Sequence, residues 1–154
     1  MGKPCWGSNR KIVFFMSLVT LLEEFKDITD RDLRYDILIE TSDRFQEVLP
    51  NVATRPFSDV NKAPACESEA YGWVTKNSDG TCTLHFAVEN PQGISAKALG
   101  VILKEGLDGE SAKNISEISE QIVYDIFGTG LGMGKGQGLM GMVRIIKSEA
   151  RKLC

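Results

Sequence analysis

The apolar positions of this chain change period twice, and those changes mark its elements. Over residues 17–26, Leu18, Leu21, Leu22 and Phe25 recur at spacings of three and four, which predicts a short helix with one buried face. Asp30 is placed to cap a second helix, whose apolar positions Leu33, Ile37 and Ile39 run on towards Phe45 and Val48 until Pro50 ends it. Residues 51–62 hold Pro56, Ser58, Asp59 and Asn61 without a clear period and predict a long loop. The period then becomes two. Residues 68–76 and 81–88 alternate, with Leu84, Phe86 and Val88 set against Thr83, His85 and Ala87, and Asn77-Ser78-Asp79-Gly80 between the runs predicts a hairpin.

Helical spacing returns at Ile94, Ala98, Val101, Ile102 and Leu107, and again through Ile115, Ile118, Ile122, Val123 and Ile126, where residues 114–127 predict one helix or a helix pair. Glycines at 128, 130, 132, 134, 136 and 138 predict a loop, and Leu139, Met142, Val143, Ile145 and Ile146 then form the buried side of a basic last helix. Helices, a hairpin and more helices, with no strand-helix-strand alternation, make the fold class α+β. The expected sheet is small and antiparallel, a hairpin plus a short strand, packed against several helices.

A chain of 154 residues, 42% hydrophobic and 25% charged, has the size of one domain with one core. Its net charge of -3 is uneven: Lys3, Arg10 and Lys11 make the start basic, the segment from Lys135 onward carries +4, and the body between carries -10. An acidic body of this kind does not fit a nucleic-acid footprint. The apolar run at residues 12–22 is too short to span a bilayer, and no small-x-small cleavage site follows it. We expect residues 1–15 to be a flexible extension and residues 16–154 to be the domain. The four cysteines, Cys5, Cys66, Cys82 and Cys154, lie far apart with no C-x-x-C pair, as expected of reduced thiols in the cytoplasm, or in a plastid stroma if residues 1–15 belong to a targeting segment.

The residues with the most to say about chemistry are 61–73, NKAPACESEAYGW. Pro64 fixes its own φ and biases Ala63 away from helix, so the backbone reaches Cys66 extended and presents the thiol at a loop tip just before the first strand. Lys62, Glu67 and Glu69 put both signs of charge beside it. This segment resembles the acceptor loop of the SufE family, sulfur-accepting partners of cysteine desulfurases, in which an Asn-x-Val-Pro-Gly-Cys-x-Ser-x-Val-Tyr or Trp stretch carries the reactive thiol. Cys66 falls on the persulfide-forming cysteine, and Asn61, Pro64, Ser68 and Tyr71 fall on matching positions. Ala63, Ala65 and Ala70 replace the usual Val, Gly and Val, so φ at residue 65 is expected to be negative. Upstream, DLRYDILIETSDRFQEVLP is similar to a helix of that family. Downstream, KGQGLMGMVRIIKSEAR is similar to its closing helix, with Lys135 where the family has Arg. The likeness covers about 130 residues, from roughly Met16 onward.

The resemblance implies a sulfurtransferase-like persulfide carrier that partners a desulfurase rather than a free-standing enzyme. Cys66 would take persulfide sulfur from a pyridoxal-phosphate cysteine desulfurase, stimulate that enzyme, and deliver sulfur to an iron-sulfur scaffold or another acceptor in cluster assembly. Ser68 and Lys135 are the expected supporting residues. No cofactor or metal is expected on this chain, since the pyridoxal phosphate belongs to the partner, and neither nucleic acid nor membrane is expected to bind. Two alternatives stand beside this reading. One is a metal or iron-sulfur scaffold using Cys66, Cys82 and His85, although Cys82 and His85, three apart on a strand, point to opposite faces. The other is a protein that binds the desulfurase without transferring sulfur. The segment GTGLGMGKGQG is not a phosphate-binding Walker loop, because Thr129 stands where glycine is needed and Gly136 where Ser or Thr is needed.

Overall fold

The computed structural model describes residues 9–154, with side chains from Leu18 on. Among the described residues, six α-helices and one two-stranded antiparallel sheet follow in the order α1 (Asn9–Lys26), α2 (Arg31–Ser42), β1 (Ala70–Lys76), β2 (Cys82–Val88), α3 (Ile94–Leu107), α4 (Ala112–Ser116), α5 (Ile122–Phe127) and α6 (Met133–Arg151). The α+β class is therefore the observed one. The expected extension, residues 1–15, falls on positions whose backbone is described only from Asn9 and whose side chains lie outside the described residues. Among the described residues, no helix is long and apolar enough to cross a membrane.

The hairpin pairs Ala70 with Val88 at one end and Lys76 with Cys82 at the other. Its alternation sorts the side chains. Ala70, Val74, Cys82, Leu84, Phe86 and Val88 join the main core, where Leu99, Leu103, Met142 and Ile146 of α3 and α6 are buried with them. On the opposite face Trp73 and Ala87 are covered by Val48, Val52, Ala53 and Phe57 from the long loop. Both faces of the hairpin are thus shielded from water, which stiffens the strand that follows Cys66. The short third strand is reduced to single bridges at the edges, Glu47 beside Phe86 and Lys62 beside Tyr71.

Asp30 caps α2 as its position predicts, accepting from the amides of Asp32 and Leu33. The helix nevertheless stops at Ser42 rather than running to Val48. The Val48 amide instead donates to Phe86 O at 2.8 Å, so pairing with the sheet edge displaces the last helical turns. Leu38, not Leu33, is the buried leucine of α2, and Leu33 is exposed. The predicted helix at residues 114–127 is a pair, α4 and α5.

Arg34 ties three helices together. Its guanidinium donates to the carbonyls of Phe25 in the last turn of α1 and Ile28 just beyond it, and to those of Asp125 and Ile126 in α5, at 2.7–3.2 Å. These carbonyls include helix-end acceptors that have no partner within their own helix, and a planar fork can reach two helix ends where an ammonium cannot. Arg34→Ala is expected to lower stability by about 2–4 kcal/mol, and Arg34→Lys to recover less than half of that, in urea unfolding followed by circular dichroism.

Candidate functional site

Cys66 lies in the loop between the short 3-10 turn Asp59–Asn61 and β1. Both ends of this loop are pinned to the hairpin edge. Asn61 is buried and donates Nδ2 to Gly72 O at 3.0 Å, and the Ala63 amide donates to Ala70 O at 2.8 Å. Between those anchors the backbone reverses twice. Pro64 and Ala65 form the first turn, and the Glu69 amide closes the second by donating to Cys66 O at 3.1 Å. Cys66 sits between them, half-buried against the main core.

The turns require left-handed backbone on each side of the cysteine. Ala65 has φ 61° and Glu69 has φ 51°, and no other non-glycine among the described residues has a positive φ. The expectation of a negative φ at residue 65 is therefore corrected. With Pro64 at the first central position of the turn, the second must be left-handed for the chain to come back to its bridge with β1. Alanine adopts the conformation at a cost of about 1 kcal/mol relative to glycine.

What presses the loop into this shape is α6. A Cβ on Gly138 would stand 2.9 Å from Ala65 O and 3.1 Å from Cys66 Cα, and one on Gly141 would collide with Pro64 O. The loop backbone therefore lies directly on a glycine face of the last helix. This also corrects the glycine segment, which is not a loop up to residue 138: the helix begins at Met133 and takes in Gly134, Gly136, Gly138 and Gly141. Glycine inside a helix costs about 1 kcal/mol each, and here the close approach of the Cys66 loop accounts for two of them. Sequence reasoning missed Gly138 and Gly141 as part of the site. Their spacing of three, at the start of and within the amphipathic run, was the available signal.

Ser68 is half-buried. Its carbonyl accepts from Asn90 N at 3.2 Å, and its Oγ would be 3.0 Å from a Cβ on Gly93, so it wedges the loop against the start of α3. Lys62 pairs with Glu69 at 3.5 Å, which sets the lysine and one of the two carboxylates against each other rather than against the thiol. Lys135 is in the first turn of α6, one turn before Gly138; it is exposed and forms no ion pair with any described residue.

Cys66, Cys82 and His85 do not share a site. Cys82 is fully buried at the Lys76 end of the hairpin, whereas Cys66 precedes the Ala70 end, about 20 Å away along a strand of this length. His85 faces the other side, bonded to Thr75 Oγ1 at 2.9 Å. Among the described residues, no group of three His, Cys, Asp or Glu side chains is placed to hold a metal ion. The His85 imidazole is held below its usual pKa of 6.5, first by burial and then by the nearby Lys104.

The family model described as "SufE: Fe-S metabolism associated domain" matches residues 19–150. Comparison with curated proteins gives no match. A solved solution structure of a hypothetical protein from Thermus thermophilus superimposes with a TM-score of 0.66 at 23% identity, covering 89% of this chain and 95% of that one, and shows a shared fold.

Two outcomes are expected from this geometry. Gly138→Ala and Gly141→Ala should each destabilise the protein by about 1–3 kcal/mol in urea unfolding, whereas Gly134→Ala, where an added Cβ meets nothing within 4 Å, should stabilise it by up to about 1 kcal/mol. His85 supplies a pH dependence. Because its folded pKa is depressed, the unfolded chain takes up the proton first, so its contribution is intact above pH 6.5 and is lost as pH falls from there through the folded value. His85→Gln should flatten the fall in stability as pH drops below about 6.5, measured by urea midpoints at successively lower pH.

Proposed function

The chain belongs to the SufE family of domains associated with Fe-S metabolism, and on that premise we propose that it is a sulfur acceptor and carrier working through Cys66. The observation that carries this reading is the position of the thiol. Cys66 is half-buried at the tip of a doubly turned loop, with rigid hairpin on one side and a glycine face on the other. An inert structural cysteine is packed like Cys82, at zero exposure in the core.

The chemistry is thiol-disulfide exchange with a persulfide as the electrophile. The Cys66 thiolate attacks the outer sulfur of a cysteine persulfide on a pyridoxal-phosphate desulfurase. The new S–S bond forms on Cys66 as the donor's S–S bond breaks, and the donor cysteine leaves as a thiolate that takes up the proton lost by Cys66. A second exchange passes the outer sulfur to an acceptor in iron-sulfur cluster assembly. No step needs a redox co-reactant, because the transferred sulfur keeps its oxidation state. Ser68 acts by holding the loop against the start of α3. The loop anchors on Asn61 and Ala63 keep the thiol within a few residues of a fixed sheet edge, so presentation needs only a local change in residues 64–69.

The test is intact mass of wild type and Cys66→Ser after incubation with the desulfurase, pyridoxal phosphate and free cysteine. A gain of about one sulfur atom that reductant removes, and that Cys66→Ser abolishes, is the expected result. A competent desulfurase that binds the chain without any mass gain would instead make it a binding partner that does not transfer sulfur.

A further inference from the structure

A cleft of about 950 Å³ opens between α2, α5, the segment 128–132 and the starts of α3 and α6. That is the upper end of the volume range for ligand sites, enough for several residues of a peptide. Two of its lining residues tie it to the acceptor loop. Lys135 stands one helical turn before Gly138, which meets Cys66, and Ser95 stands two residues after Gly93, which meets Ser68. A partner that reaches Cys66 from this side therefore covers the cleft as well.

Its charge runs against that of the body. Arg31 and Lys135 line it, both exposed and neither in an ion pair with a described residue, and only Asp32 offsets them. The other charged lining residues are already engaged: Lys26 pairs with Asp125 at 3.9 Å, and Arg34 spends its fork on four carbonyls. The cleft is thus a net positive spot on a chain whose overall charge is -3. Tyr35 at the cleft is 60% exposed, a large side chain of the type enriched where proteins meet. Gly130 and Gly132 also line it, and a Cβ on either would meet nothing within 4 Å, so their contacts inside the chain leave room for a neighbour.

We propose that this cleft is the docking groove for an acidic segment of the desulfurase, whose carboxylates meet Arg31 and Lys135 and whose apolar side chains meet Tyr35. This rests on the acceptor reading of Cys66. It divides the work in two. The groove supplies affinity and registers the partner, while the loop one turn away is left to carry the sulfur.

The test is calorimetric binding of the source organism's purified cysteine desulfurase to wild type, to the double variant Arg31→Glu with Lys135→Glu, and to Gly130→Leu. Both charged side chains are exposed in the first turns of their helices, where Glu is favourable, and position 130 has open space, so neither variant should melt below wild type. The charge reversal should weaken binding at least about tenfold and flatten its salt dependence, and Gly130→Leu should weaken it similarly by filling the groove. Variants that bind as tightly as wild type overturn the groove while leaving the acceptor reading intact. Inorganic phosphate that binds wild type and not the charge reversal, with desulfurase affinity unchanged, overturns it in favour of a small-anion site. Tight, variant-sensitive binding without sulfur on Cys66 supports the groove and overturns the acceptor reading alone, and a wild-type chain that binds no desulfurase overturns both.

Discussion

Backbone lies on backbone where residues 64–66 cross α6, and the rest of the site depends on that contact. Side chains cannot be fitted between the Pro64 and Ala65 carbonyls and the helix, so Gly138 and Gly141 are required by the same geometry that places Cys66. The contact fixes how deep the thiol sits. It also explains why Ala65 and Glu69 accept left-handed backbone, since a loop pinned to β1 at Ala63 and pressed on α6 has no other way to return to the strand.

The elements around that contact are stiff for reasons of their own. The hairpin is covered on both faces, and α6 lies so close to β1 that a Cβ on Gly72 would be 2.9 Å from Ile146 Cδ1. Arg34 adds to this by joining α1, α2 and α5. Against this frame the segment 64–69 is the locally costly part. Two left-handed residues at about 1 kcal/mol each work against its seating, and the anchors at its ends limit how far it can travel. A reactive group carried on such a segment can change its exposure without unfolding the domain.

Much of this was legible in the residues. The hairpin, the α3 helix and the Asp30 cap follow from period and capping chemistry, and Cys66 stands out because Pro64 and the following alternation put it at a loop tip. The errors share one cause. α2 ends early because Val48 finds a carbonyl on β2, and the glycine segment is helical because the Cys66 loop needs its bare face. Neither partner is a neighbour in sequence. A negative φ at Ala65 was the sound local expectation, overruled by where the loop has to return. The placement of Cys82 and His85 apart from Cys66 was half visible, since strand alternation separates the first two but says nothing about the distance to the third.

The seating of Cys66 on α6 is tested most directly by competitive alkylation within one molecule, following Cys66 and the exposed Cys154 by peptide mass during limited reaction. Cys66 should react more slowly than Cys154 in wild type, and Gly138→Ala, by lifting the loop, should accelerate Cys66 while Cys154 keeps its rate. Equal rates at the two cysteines in wild type, unchanged by Gly138→Ala, would contradict that seating.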